Sequence, residues 1–410
     1  AWTLRLQGAA ARLPALSGCR PLCLAGEACG RQRRGRVLSV ASALVAGNDA
    51  LPGLAVRALA QALEKAAATR ANGVLLFLTP EFSLGAQQTV SAVARAARCT
   101  QVVGGVAAGV FTDGGWVLDR PAAAVMVFTG SLTLAAGERD GQQGEPLLCY
   151  AGNHFPRPWT TPGRELFGGS YAAASSGSGN DHLLAWQQSR LAACCRVHLR
   201  GAHIDVGVSP GWRLLGGVRR VDSSRAYQLL RVDGEEAATS LAQAVREAGY
   251  GEGELAPAIS ALGAVLVADA GGAFADNDGR PISIIDRGDK GALTLAERVA
   301  AGQTLAWAIR LPQAAAEDMR QTVARLARLA RDPVGAVVFS CIGRGPYFYG
   351  GQDHDLDCLR ERFPRLPLIG SYGTGQIATR AAAGRRLMQN AVVTAVLSPT
   401  RETIDVQSQP

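Results

Sequence analysis

Apolar residues recur along the chain with two periods. In "LPGLAVRALAQALEKAAA" (51–68) they return every three to four residues after Pro52, the spacing of one helix face. "NGVLLFLTP" (72–80) is a continuous apolar run closed by a proline, which predicts a buried strand. "GAQQTVSAVARAAR" (85–98) predicts a second helix. "TQVVGGVAAGVF" (100–111) predicts a strand running into a glycine turn, and "AAAVMVFTG" (122–130) a further strand.

The same order returns from Ala316. "EDMRQTVARLARLA" is helical, "VGAVVFSC" a buried strand, "HDLDCLRERF" helical, "LPLIGSYGTGQI" a strand into a glycine turn, and "NAVVTAVLS" a closing strand. The glycines of the two turns are spaced alike, Gly104 to Gly109 and Gly370 to Gly375. Matching segments in matching order imply an internal duplication. We expect Leu54–Gly130 and Ala316–Ser398 to form the same α-β-α-β-β unit. At least one glycine of each turn is expected at positive φ, which glycine adopts without steric cost. A third relative is suggested at "LFGGSYAAASSG" (166–177), where Gly169-Ser170-Tyr171 repeats Gly370-Ser371-Tyr372. The fold class read from these patterns is α/β (mixed α+β): two duplicated halves, with stacked mixed sheets flanked by helices.

The glycine turn is not a phosphate cradle. Its spacing reverses the dinucleotide fingerprint, and Gln376 and Ile377 stand where a P-loop places lysine and a hydroxyl residue. Residues 1–36 carry seven arginines and one acid, Glu27, with no clear period; a poorly ordered extension is expected there, and a tail at 401–410. The net charge of +8 comes almost wholly from arginine, with Lys65 and Lys290 the only lysines. These arginines are scattered and not interleaved with aromatics, which argues against nucleic acid as a partner. The longest apolar stretches are too short to span a bilayer as a helix, so no membrane partner is expected. Nine cysteines without a CxxC pair point to free thiols in a reducing, cytoplasmic compartment. Five histidines without HxH or HxxxH spacing argue against a metal site.

The two copies differ in the loop after their first strand. The first has "LTPEFSLG"; the second has the longer "SCIGRGPYFYGGQDHD", with Cys341, Arg344, Gly345, Tyr347, Tyr349, His354 and Asp355. Loops at strand ends are where such sheets carry function. Arg344 has the geometry to fork onto a carboxylate, the tyrosines offer walls with polar tips, and the backbone N–H groups of the turn can receive an anionic oxygen. We therefore expect one pocket in the second half. Its lining is Cys341, Arg344, Gly345, Tyr347 and His354 from the loop, with Ser371, Tyr372, Gly373, Gly375 and Gln376 from the turn. No catalytic residue is assigned. A thiol-dependent enzyme using Cys341 and His354 is the alternative within that loop.

"FSCIGRGPYFYGGQDHDLDCL" and "LIGSYGTGQI" together resemble the FIST domain family, in its paired N-terminal and C-terminal form. "LLGGVRRVDSSRAYQLLRVDGEEAATSL" (214–241) is similar to that family's crossing between halves. The resemblance covers roughly Leu38 to Ser398 and implies domains at 37–232 and 233–400. It departs at Gln376 and Val110, where the family usually has Glu, and at Leu387-Met388, where it often has Leu-His. It implies a stand-alone, bacterial-type signal-transduction module that senses a small molecule, an amino acid or other small anion, and passes the signal to a protein partner. Some relatives are haem-containing nitric oxide sensors. On that second reading the axial ligand is sought among His354, Cys341 and His182.

Overall fold

The computed structural model describes residues 40–136, 145–152, 165–172, 184–250, 258–267, 279–380 and 384–400. The expected extension (1–36) and tail (401–410) lie outside them, as does His182. The mixed α/β class is the one observed.

The first copy comprises β1 (Val40–Ala46), α1 (Pro52–Lys65), β2 (Gly73–Leu78), α2 (Ala86–Ala97), β3 (Val102–Val106), the hairpin β4 (Gly109–Thr112) and β5 (Gly115–Leu118), and β6 (Ala122–Phe128). Pro52 starts α1 where a missing N–H is harmless. Leu54, Ala55, Ala58, Leu59 and Ala62 form its buried stripe. Every residue of β2 is buried, because α1 and α2 cover one face of its sheet and the central core covers the other. In that sheet β1 runs antiparallel to β6, β6 antiparallel to β2, and β2 parallel to β3.

The pattern is repeated by β13 (Ala202–Ser209), α4 (Pro312–Leu329), β21 (Gly335–Cys341), α5 (His354–Arg362), β22 (Leu368–Gly373), the hairpin β23 (Gly375–Arg380) and β24 (Gly384–Met388), and β25 (Val392–Pro399). Again β13 is antiparallel to β25, β25 to β21, and β21 is parallel to β22. The duplication read from the apolar runs is thus present in element order, pairing and direction.

A third copy of the strands lies between these two. It contains β7 (Thr133–Ala136), β8 (Leu147–Ala151), β9 (Leu166–Ser170), the hairpin β10 (Ala185–Gln187) and β11 (Arg190–Ala192), and β12 (Cys194–Arg200). Here too β7 is antiparallel to β12, β12 to β8, and β8 is parallel to β9.

Each copy lends its hairpin to another copy's sheet. The β4–β5 hairpin pairs with β22, β23–β24 with β9, and β10–β11 with β3. The exchange closes on itself, first to last to middle to first, so three six-stranded sheets face one shared core. One aromatic side chain from each copy meets at the centre. The ring centroids of Phe77 and Tyr150 lie 5.3 Å apart, those of Phe77 and Phe339 5.8 Å, and those of Tyr150 and Phe339 6.1 Å.

The glycine turns are where strands leave one sheet for another. Gly104 has φ +142°, and a Cβ there would lie 1.9 Å from the Leu76 carbonyl oxygen. The second turn differs from expectation: none of Gly370, Gly373 and Gly375 is at positive φ. Glycine is required there by close approach. A Cβ on Gly370 would lie 2.1 Å from the Phe111 ring, and one on Gly373 2.3 Å from the Ser170 carbonyl oxygen.

Between β13 and α4, where the first copy has only a short link, a further body is inserted. It consists of β14 (Arg213–Arg225), β15 (Gln228–Val232), β16 (Glu235–Glu236), α3 (Ala237–Glu247), β17 (Leu262–Val267), β18 (Arg280–Arg287), β19 (Leu293–Leu295) and β20 (Thr304–Ile309). Because β14 pairs with both β20 and β15, the strands close into a small barrel. It buries its own core with α3, including Trp307, whose Nε1 donates to Ser240 Oγ at 3.1 Å.

Candidate functional site

Strand alternation divides the expected pocket. Ser371 and Tyr372 are neighbours on β22, and successive side chains of a strand point to opposite faces. Ser371 pairs with Phe339 and Val110, both in the central core, whereas Tyr372 packs with Phe111 and the helices on the outer face. Gln376 pairs with Gly169 and shares its face with Ala378, in the central core. Ser371 and Gln376 therefore face inward, while Arg344, Tyr349 and Tyr372 belong to the outer side.

On that outer side the loop ties itself down. Arg344 is fully buried. Its Nε and Nη2 donate to the two carboxylate oxygens of Asp355, both at 3.0 Å. Nη1 donates to the Ser209 carbonyl at 2.7 Å, and Nη2 also reaches Ser209 Oγ at 2.7 Å and the Ala315 carbonyl at 2.8 Å. The carboxylate onto which Arg344 forks is the protein's own. Burial pushes the Asp355 carboxyl up and the guanidinium pulls it down. With both its oxygens accepting from Arg344, the pair is ionic. Tyr349 adds a hydrogen bond to Asp355 at 3.0 Å.

Asp353 caps α5, accepting from the N–H groups of Asp355 and Leu356 at 3.0 Å, and receives the Tyr372 hydroxyl. Burial raises its carboxyl to about 6. Gly345 packs beside the Tyr372 ring, from which a Cβ at this position would lie 3.2 Å. Tyr347 is exposed and donates to Asp119. Gly375 packs under Leu387, which a Cβ would approach to 2.6 Å.

Cys341 and His354 are directed at different partners. The sulfur of Cys341 lies 4.0 Å from Asn390 Oδ1, while the His354 ring packs edge-on to Tyr349 at 5.0 Å. Among the described residues no group of three His, Cys, Asp or Glu side chains is placed to hold a metal.

Cys341 instead marks a site that the sequence reading missed. Arg310, at the exit of β20, donates from Nη1 to the Gly343 carbonyl at 2.8 Å and to Asn390 Oδ1 at 2.7 Å. Its guanidinium lies 5.0 Å from the centre of the Phe348 ring. Its Nε is buried without a partner, and among the described residues no carboxylate pairs with it. Burial lowers its pKa, the nearby Cys341 opposes that shift, and the charge of Arg344 adds to it. Glycine at 343 permits the approach, since a Cβ would lie 3.0 Å from Asn390 Oδ1.

Asn390 also lines a cleft of about 200 Å³ between the barrel and the turn that joins β24 to β25. Pro281, Ile282, Ser283 and Glu297 form the barrel wall, Leu387 and Met388 the opposite wall, and Trp212 stands at the junction. A more open hollow of about 480 Å³ lies on the other side of Trp212, bordered by Tyr250, Glu317 and Asp318. None of Cys341, His354 and Arg310 lines either cleft. A lone arginine between an apolar strand and the Leu311-Pro312 helix start was the available signal for Arg310. Its partners, at 343, 348 and 390, are all distant in sequence.

Among known proteins, an uncharacterised protein of Mycobacterium tuberculosis is 36% identical over 88 residues, 21% of this chain and 23% of its own length. An uncharacterised protein of Mycobacterium bovis is 35% identical over 99 residues, 24% of this chain and 25% of its own length. The chain spans about a quarter of the length of these curated relatives. Residues 237–379, which take in much of the barrel, α4, the Cys341 loop and the second glycine turn, match the FIST C domain. With the motifs at Cys341 and Leu368–Ile377, that match makes this a chain carrying a FIST C domain, consistent with a protein of the FIST domain family.

Proposed function

We propose that the chain is a sensory module that binds a small anionic ligand in the cleft lined by Asn390, the residue to which Arg310 donates from behind the cleft wall. The observation that carries this reading is the state of Arg310. It is a half-buried cation whose described partners are neutral oxygens, with a second guanidinium nearby. A desolvated charge without a counter-charge is costly, and a ligand carboxylate would remove that cost through charge-assisted hydrogen bonds. The FIST C domain supports the same class of function, sensory ligand binding.

The cleft's position suits a sensor. Its walls belong to two bodies, the inserted barrel and the β24–β25 turn. A ligand touching both favours the arrangement in which they fit around it, which is how occupancy becomes a conformational signal. The test is native mass spectrometry of gently purified protein beside an Arg310→Gln variant. The reading expects a small bound mass on the native protein that the variant loses while melting at nearly the same temperature. An equal bound mass on both would overturn it.

A further inference from the structure

The threefold repetition provides an internal comparison at the central layer. Three rows of paired residues are equivalent by register. They are Ala185, Gly105 and Phe77 in the first sheet; Val110, Ser371 and Phe339 in the second; Gln376, Gly169 and Tyr150 in the third. At each equivalent set two copies are apolar and one carries a polar group: Gln376 against Val110 and Ala185, Ser371 against the two glycines, Tyr150 against Phe77 and Phe339. Packing the layer does not call for polarity, because the other copies manage without it.

These groups are also incompletely used. Gln376 is wholly buried, and neither its Nε2 nor its Oε1 has a protein partner. The Ser371 hydroxyl faces that of Tyr150, which donates to the Val106 carbonyl at 2.7 Å. Leaving a buried donor or acceptor unpaired is costly, so an amide with both ends unpaired is an expensive side chain to keep here.

The layer adjoins the cleft. Gln376 pairs with Met388 across β23 and β24; both belong to the inner side, and Met388 also lines the cleft. Gln376 does not itself line the cleft; its cross-strand partner Met388 does, and that side chain is flexible and unbranched. We propose that Gln376 is a specificity-determining residue, which reads a carboxamide, a group offering an N–H and a C=O side by side, on the inner end of the cleft ligand. No described Arg, Lys, Asp or Glu lies in the three rows, so this end accepts an uncharged group and disfavours a second carboxylate. The proposal rests on the cleft reading and adds to it a polarity: anion at Arg310, amide at Gln376.

Three probes separate the two claims: succinamate, with one carboxylate and one carboxamide; succinate, with two carboxylates; and succinamide, with none. Calorimetric titration of the full chain should show succinamate binding at least tenfold tighter than succinate. Gln376→Leu should abolish that preference, and its melting temperature should be unchanged or raised, since an unpaired amide is replaced by an apolar group. Equal binding of succinate and succinamate by the native protein would overturn the amide proposal and leave Arg310 standing. Succinamide binding as tightly as succinamate would instead remove Arg310. A preference that survives Gln376→Leu, a marked early melting of that variant, or no binding of any probe would each overturn the role of Gln376.

Discussion

Arg344 grips Asp355 with two parallel N–H···O bonds of 3.0 Å, out of contact with solvent. The bidentate chemistry expected from its place in the Gly-Arg-Gly loop is realised inside the protein, where it joins the loop to α5, and through Ser209 and Ala315 to β13 and α4. Arg344→Ala should therefore lower stability by about 3–5 kcal/mol, because it strands a buried carboxylate. Chemical denaturation of the variant checks this. Native stability combined with lost ligand binding would contradict it.

A pH effect follows from Asp353. Its folded-state carboxyl is raised to about 6 from 3.8, chiefly by burial. A raised acid favours folding below its unfolded value, and that contribution is lost as pH rises through the folded value. Stability should thus fall between about pH 4 and pH 6, by up to about 3 kcal/mol from this group. Asp353→Asn keeps a helix cap and should flatten the profile over that window. Denaturation midpoints of both proteins across the window measure it.

The glycine turns predict two different responses to alanine. At Gly370 the added Cβ meets the Phe111 ring at 2.1 Å, which a smaller side chain relieves, and the Val338 carbonyl oxygen at 2.7 Å, which it does not. Gly370→Ala should cost about 1–3 kcal/mol, and Phe111→Leu in the same chain should recover part of it. At Gly104 the obstacle is the Leu76 backbone at 1.9 Å, with a φ of +142° besides. No side-chain substitution should rescue Gly104→Ala. Equal rescue at both sites would show that the two turns are not constrained as described.

The central rings set the last stability prediction. Phe339 is 1% exposed and meets both Phe77 and Tyr150. Phe339→Ala should cost about 3–5 kcal/mol. A loss that small surface substitutions also produce would mean that the three sheets do not depend on their shared centre.

Much of this architecture was legible in the chain. "NGVLLFLTP" and "VGAVVFSC" read as buried strands because both faces are covered, and their flanking helices carry clean apolar stripes. The third copy was visible only at Gly169-Ser170-Tyr171, since β10, β11 and β7 are too short to show a period. Two of the three hairpin exchanges pair residues more than 200 positions apart, such as Gly375 with Ser170, and no local pattern encodes that. The candidate site was legible as a loop but not as a geometry. Cys341, Ser371 and Gln376 were singled out by position and chemistry, and the period-two rule that sends Tyr372 to the other face from Ser371 was present in the sequence. Arg310 meets Asn390, and Asn390 shares a cleft with Trp212, only once the barrel is folded against the β24–β25 turn.

The central claim is that Arg310 supplies the charge that holds an anionic ligand. Calorimetric titration of succinate into the native chain and into Arg310→Gln tests it most directly. A charge-assisted hydrogen bond contributes roughly 1.5–3 kcal/mol, so the variant should bind about ten- to a hundredfold more weakly while unfolding at nearly the native temperature. Equal affinity in the two proteins would contradict the account.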